Sequence, residues 1–393
     1  MSWKKIVIFC LVFIFTLSGM SGVAAPETTG LKNPAKTGVT PAALETTAAS
    51  AILYDPLSGK SLWEKEPNNR LPMASVTKLM TLLLAVEAVE EGHFKLEDRV
   101  VASENAWEMG GSQIYLEPGE EMSLWEMLLA VGLQSANDGS VAVAEHIAGS
   151  EEAFVQAMNE KAQALGLFDT HFVNCHGLPA EDHYTTAHDL AVILGEGLKY
   201  PLFREITAMK EFDLRGGAFK LWNTNKLLWW YDGADTGKTG WTEDAKYCLA
   251  SSAERDGLRL ICVVLGVAEP KGHFNESTKI YNYGFTRFKA VNMAQRGEKA
   301  GELKVGKGQS ASVDVVTAER AGVVVPKGED KGFSAKLELP RQIDAPVHKG
   351  QEVGSYVILK NDQEVLRVKL LAKEEVPKAG FLKQIKRVVD GIF

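Results

Sequence analysis

The chain has 393 residues, 45% of them hydrophobic and 24% charged, which is ordinary for a folded soluble protein with length for two or three domains. A formal net charge of −8 argues against nucleic acid as a partner. Apart from Cys10, the cysteines are Cys175, Cys248 and Cys262, and an odd count speaks against a disulfide framework.

The first residues set the compartment. Lys4-Lys5 precede an apolar run over residues 6–17 and a small-residue stretch ending in Ala24-Ala25. This is the pattern of a secretory signal peptide, expected to span residues 1–24 with cleavage after Ala24. Residues 25–48, rich in Thr, Ala, Pro and Gly without periodicity, read as a linker. Ser50 to Tyr54 and Ser61 to Glu64 alternate around the turn residues 55–59 and predict a hairpin.

Pro72-Met73-Ala74-Ser75-Val76-Thr77-Lys78 then opens a long apolar helix that ends near Gly92. A serine in the first turn has its hydroxyl at the edge of the helix, and its N–H is among the donors unpaired there. Lys78 follows one turn later on the same side, within reach of that hydroxyl. One segment could therefore supply a nucleophile, a base and half of an oxyanion hole. Ser-x-x-Lys alone is a weak signal, and Ser2-Trp3-Lys4-Lys5 matches it too.

Loops and short strands are expected over residues 99–122. Ser123 and Glu126 form a capping box for a helix that runs to Leu133. Helices are predicted at about 138–148 and 151–165, and Ser135-Ala136-Asn137 sits between two apolar ones. Runs 246–252 and 258–266 suggest an antiparallel pair, followed by a helix at about 274–291. A turn centred on Arg255 would set Cys248 opposite Cys262. A two-residue loop at Asp256-Gly257 would pair Cys248 with Leu265, and two buried unbridged cysteines are the preferred reading. Strands, then helices, then strands and a helix give an α+β class: an antiparallel sheet flanked by helices, with a helical subdomain, over residues 49–292. Short strands between Gly, Pro and Asp turns predict a separate small all-β domain at 300–375. Residues 377–393 place Phe381, Leu382, Ile385, Val388, Val389, Ile392 and Phe393 on one face and lysines mostly elsewhere, the pattern of an amphipathic helix anchoring to a membrane surface.

Lys238-Thr239-Gly240 begins a predicted strand after a glycine-rich loop. A second hydroxyl could relay a proton, an amide could hold a carbonyl, and a cation beside a glycine could bind a carboxylate. Lys36-Thr37-Gly38 and Ser103-Glu104-Asn105 repeat fragments of this set, but only Ser75, Ser135 and Lys238 are ordered and embedded in structured segments.

With these motifs in place the chain resembles the low-molecular-mass penicillin-binding proteins, the serine-type D-alanyl-D-alanine carboxypeptidases, with a β-lactamase/DD-peptidase-like fold. Gly111-Ser112-Gln113-Ile114 and Phe172-Val173-Asn174-Cys175-His176-Gly177-Leu178 extend the likeness. The resemblance implies a DD-carboxypeptidase that removes the terminal D-alanine from peptidoglycan pentapeptide stems, is acylated by penicillins, and works at the outer face of the cytoplasmic membrane. It implies Ser75 as nucleophile, Lys78 as general base and Ser135 as proton relay. It implies Asn137, Lys238, Thr239 and Gly240 as substrate-binding residues, with the N–H of Trp241 completing the oxyanion hole. A serine β-lactamase shares the fold and the three motifs, but no Glu-x-x-Leu-Asn deacylation loop is present. An inactive penicillin-binding wall protein is the other alternative. The lead-in Asp235-Thr236-Gly237 departs from the family, which usually has glycine right after the aspartate and an apolar residue before the lysine. Cys175 replaces a usual proline. No cofactor or metal is expected: His171, His176, His183 and His188 form no His-Glu-x-x-His pattern. Trp222, Trp229, Trp230 and Trp241 flank the third motif and are expected mostly to pack, with Trp241 near the cleft.

Overall fold

The computed structural model describes residues 44–380. β1 (Ser50–Asp55) and β2 (Lys60–Lys65) form the first hairpin. A 3₁₀ turn, Ala74–Thr77, leads into α1 (Lys78–Glu90). β3 (Arg99–Val101), α2 (Glu104–Trp107), β4 (Glu121–Ser123) and α3 (Leu124–Leu129) follow. The Ser123–Glu126 capping box starts α3 as expected. Next come α4 (Asn137–Ala148), α5 (Glu151–Ala164), α6 (Ala187–Gly197) and α7 (Pro201–Ala208). β5 (Glu211–Leu214), β6 (Phe219–Trp222) and α8 (Leu227–Trp230) lead into three long strands, β7 (Ala234–Thr242), β8 (Lys246–Arg255) and β9 (Leu258–Val267), and then α9 (Gly272–Arg287).

The central sheet has the order β2-β1-β9-β8-β7 and is antiparallel throughout. β1 is buried at every position, as a strand covered on both faces must be. Ile52, Ala250, Val263 and Leu265 face the helical cluster that contains α1, α4 and α6. Leu53, Leu249, Cys262 and Val264 face α9. The two-residue loop at Asp256-Gly257 sets Arg255 opposite Leu258 and Ser251 opposite Cys262. Cys248 and Cys262 consequently lie on opposite faces of the sheet, and both are free, as is Cys175.

The chain continues through β10 (Phe288–Ala294), β11 (Lys299–Gly306), β12 (Ser312–Thr317), β13 (Ala321–Pro326), β14 (Phe333–Glu338), β15 (Ile343–Asp344), β16 (Glu352–Lys360) and β17 (Gln363–Ala372). β10 pairs with β13, and the rest form a sheet of order β14-β16-β17-β12-β11-β15 around a separate apolar core. The fold is therefore the expected α+β arrangement with a C-terminal β domain.

Three expectations are corrected. The helix predicted to reach about residue 291 stops at Arg287, because residues 288–294 gain a full ladder on β13 that a longer helix would forfeit. Residues 44–48 do not behave as linker: Ala48 is buried, Leu44 packs on the α9-side core, and Lys65 Nζ donates to the carbonyls of Thr46 and Ala48. Residues 377–380, the expected start of the terminal helix, are extended: Val376 bridges to Val347 and Lys378 to Gly308. The signal segment, the linker as far as residue 43, and residues 381–393 of the terminal helix lie outside the described residues. Among the described residues no helix is long and apolar enough to cross a membrane.

Candidate active site

Ser75 lies in the 3₁₀ turn and is half-buried, while Lys78, the first residue of α1, is fully buried. Lys78 Nζ has three oxygen neighbours. It donates to Asn137 Oδ1 at 2.7 Å and to the His176 carbonyl, and it stands 3.2 Å from Ser75 Oγ. The first two are acceptors only. A neutral amine has two N–H bonds for them and one lone pair left, which faces the Ser75 hydroxyl. Burial first, and then the nearby Lys238 charge, pull the Lys78 ammonium well below its ordinary 10.5, favouring that neutral form.

Asn137 is placed by the break between α3 and α4. The chain winds through a wide π-type turn, Ala130–Gln134, and Ser135 ends it in the left-handed conformation at φ 65°. That turn aims Ser135 Oγ and Asn137 at the same cleft. Asn137 Nδ2 donates to the Gly110 carbonyl at 2.7 Å, and a Cβ on Gly111 would stand 2.8 Å from this nitrogen. Asp138, buried, accepts from the N–H groups of Ile114 and Leu116 and ties the 110–116 loop to α4.

β7 is an edge strand, so alternate backbone groups on its outer side have no neighbouring strand. Lys238 is fully buried on it and donates to Ser135 Oγ at 2.8 Å; burial lowers its ammonium to about 7. Thr239 Oγ1 donates to Thr224 Oγ1 at 2.7 Å. Gly240 lets the strand touch the nucleophile's backbone: a Cβ there would lie 2.7 Å from the Met73 carbonyl and 3.0 Å from Ser75 N. The next N–H along is that of Trp241. The unusual lead-in keeps the strand in place by other means. Gly237 adopts φ 145° against Ala250, and the hydroxyls of Thr236 and Ser252 meet at 2.7 Å, with Ser252 donating to Asp235 at 2.6 Å.

The structure thus brings Ser75, Lys78, Ser135, Asn137, Lys238, Thr239, Gly240 and Trp241 to one cleft. The histidines serve the loop behind it. Asn174 Oδ1 accepts from Gly177 N at 2.6 Å, His176 Nδ1 accepts from Leu178 N, and the His176 carbonyl is thereby aimed at Lys78. His183 Nδ1 accepts from Val173 N, so its other nitrogen carries the proton and donates to Thr77 Oγ1 at 2.8 Å. Burial holds His176 at about 3 and His183 at about 4, so both are neutral near pH 7. Cys175 retains an N–H that proline would lack, and it donates to Glu151 at 3.3 Å. No group of His, Cys, Asp or Glu among the described residues is arranged to hold a metal ion.

The tryptophan expectation is corrected. Trp222 is 49%, Trp229 40% and Trp230 58% exposed, and Trp241 57%. α8 is a single turn that spends its inward face on Leu227 and Leu228, and β6 alternates buried Leu221 with outward Trp222. The Lys226 ammonium lies 4.7 Å from the centre of the Trp229 ring.

Comparison with known proteins agrees with this geometry. A family described as D-alanyl-D-alanine carboxypeptidase matches residues 36–269, and one described as penicillin-binding protein 5, C-terminal domain, matches residues 288–378. D-alanyl-D-alanine carboxypeptidase DacF of Bacillus subtilis is 42% identical over 346 residues, covering 87% of this chain and 89% of the relative. D-alanyl-D-alanine carboxypeptidase DacA of Escherichia coli is 34% identical over 346 residues, 86% of each. Penicillin-binding protein 5 from Haemophilus influenzae superposes with a TM-score of 0.67 at 31% identity, covering 89% of this chain and all of that one. The chain belongs to the D-alanyl-D-alanine carboxypeptidase family of serine peptidases, the low-molecular-mass penicillin-binding proteins.

Proposed function

We propose that this enzyme removes the terminal D-alanine from peptidoglycan pentapeptide stems through an acyl-enzyme on Ser75. The observation that carries the reading is the coordination of Lys78 Nζ, which leaves its lone pair for the Ser75 hydroxyl. Lys78 takes the hydroxyl proton as Ser75 Oγ bonds to the carbonyl carbon of the penultimate D-alanine. The N–H groups of Ser75 and Trp241 receive the developing oxyanion. The carbon–nitrogen bond then breaks, and the departing amine takes a proton relayed through Ser135 and Lys238. Lys238, Thr239 and Gly240 bind the terminal carboxylate and Asn137 the substrate amide. Water attacks the ester, releases the shortened peptide and returns the proton to Ser75. A penicillin acylates the same oxygen and stays attached.

Export by residues 1–24 and peripheral attachment through residues 381–393 complete the reading, and both rest on sequence pattern. Mass spectrometry of the penicillin-treated protein tests the core of it. One adduct on the Ser75 peptide, with D-alanine released from a pentapeptide and lost in Ser75→Ala, is expected. Rapid penicillin turnover without an adduct would identify a β-lactamase instead. Membrane sedimentation of a protein lacking residues 381–393 tests the anchor: it should become soluble and remain active.

A further inference from the structure

Asn137 accepts from Lys78, so whatever fixes its amide also fixes the base. The loop before β4 does this from outside. Its Ser112 carbonyl accepts from the Asn137 N–H at 2.7 Å, and its Gly110 carbonyl accepts from Asn137 Nδ2 at 2.7 Å. Two other carbonyls of the loop, those of Ile114 and Tyr115, accept from one side chain, Arg215, at 2.8 and 3.3 Å. Arg215 lies in the turn between β5 and β6, 100 residues along the chain from Tyr115. The same guanidinium holds Glu120 by two bonds, Nε to Oε1 at 2.7 Å and Nη2 to Oε2 at 3.0 Å. Four of its five N–H groups are therefore spent on residues 114–120.

We propose that Arg215 is a positioning residue for the reaction: with Glu120 it clamps the 110–116 loop onto α4, and through that loop's carbonyls it fixes the Asn137 amide against Lys78. The proposal rests on the DD-carboxypeptidase reading. Three observations carry it. The contact needs a planar fork, because a carboxylate and two carbonyls are met at once, which the point charge of a lysine could not do. The contact is also held against backbone strain. Arg215 at φ 52° and Tyr115 at φ 58° are both left-handed without being glycine, and they bond to each other. Gly216 and Gly217 fill the neighbouring left-handed positions of the turn, so an arginine among them marks its side chain as the part retained. Finally, the pair is sheltered. The side chains of Arg215 and Glu120 are 26% and 22% exposed, the Phe219 ring centre lies 5.8 Å from the guanidinium carbon, and the Tyr115 ring meets Phe219 edge-on at 6.3 Å. Without this clamp the loop keeps its bonds to α4 alone. The Gly110 carbonyl can then shift, the Asn137 amide can turn with it, and Lys78 loses one of the two acceptors that direct its lone pair.

The test is Arg215→Met, which keeps an unbranched side chain and removes all four bonds. In the folded variant, acylation by a fluorescent penicillin and kcat/KM for D-alanine release should both fall about 10–100-fold, the cost of a small misplacement at the reacting groups. Arg215→Lys should recover only part of this, since it restores the charge without the fork. Lys161→Met is the control: it removes an ion pair to Glu87 of comparable burial, and should lower stability to urea with acylation unchanged. A double-mutant cycle reads the route through Asn137. In an Asn137→Ala background, adding Arg215→Met should change acylation by no more than about twofold, because the group that transmits the effect is gone. Circular dichroism checks each fold, and Glu120→Gln, with a loss of about threefold expected, carries the test if Arg215→Met does not fold. Folded Arg215→Met acylating within about twofold of the parent would overturn the proposal, as would losses that simply add in the cycle. Either result would leave the DD-carboxypeptidase reading standing. No D-alanine release by the unaltered enzyme would overturn both.

Discussion

Replacing Gly177 by alanine puts a methyl group into space already filled by the nucleophile's own backbone. The new Cβ would lie 2.1 Å from the Ala74 carbonyl oxygen, 2.5 Å from its carbon and 2.9 Å from Ser75 N. Ordinary contact begins near 3.4 Å, so one side must yield by about 1 Å, more than a packed interior absorbs without loss. If the 3₁₀ turn yields, Ser75 moves off Lys78, now 3.2 Å away. If the 174–178 loop yields, the His176 carbonyl leaves Lys78 and the lone-pair direction is lost. Either path predicts a fall in acylation of about 100-fold, the usual effect of such a misplacement, or about 2.7 kcal/mol. Stability should drop too: alanine at φ 90° costs about 1–2 kcal/mol, and overpacking adds about 1–3. Gly166→Ala is the control, with φ 76° and nothing within 4 Å of the new Cβ. It should lose only the backbone part and acylate normally. The assay is the second-order rate constant with a fluorescent penicillin, alongside urea unfolding. Gly177→Ala acylating within about threefold of the parent, when the expected loss is far larger, would refute the reasoning.

Asn137→Asp places a carboxylate 2.7 Å from Lys78 Nζ and stabilises its charged form. The acid limb of the acylation–pH profile should move up by about one to three pH units; an unmoved limb would contradict Lys78 as base. Thr224→Val removes the acceptor that aims the Thr239 hydroxyl. KM for a carboxylate-terminated peptide should rise about fivefold, the value of one hydrogen bond, and less for its amide analogue. His183 titrates at 6.5 in the unfolded chain and about 4 in the fold. Between these values the unfolded chain holds more protons, so the contribution is complete above pH 6.5 and is lost as pH falls through 4. Its ceiling is about 3 kcal/mol. His183→Gln should flatten urea-unfolding stability against pH across that window, and an unchanged slope would remove His183 from the account.

Much of this was legible in the chain because its decisive groups carry local signatures. Ser75 and Lys78 are one turn apart, the Ser123–Glu126 box is a sequence pattern, and the long apolar run of β9 announces a strand buried on both faces. Less legible were contacts made by groups every residue has. The carbonyl that orients Lys78 belongs to His176, but any side chain there would present the same oxygen, so residue type says nothing. Asp138 was in view within its motif, yet its partners are the backbone N–H groups of a loop more than twenty residues away. Thr224 meets Thr239 only because β7 lies against the segment before α8. The α9–β10 boundary was misplaced since the pairing that ends the helix is with β13, well over twenty residues on. Trp222, Trp229 and Trp230 were expected to pack, whereas the neighbouring Leu221, Leu227 and Leu228 take the inward positions.

The central claim is that Lys78 is an uncharged amine facing Ser75, and carbon-13 NMR of the lysine Cε groups reads it directly. With the Lys78 signal assigned by its loss in Lys78→Arg, the account predicts a titration well below the ordinary 10.5, shifted down from the surface lysines. A Lys78 signal that stays protonated alongside the surface lysines up to pH 10 would contradict it.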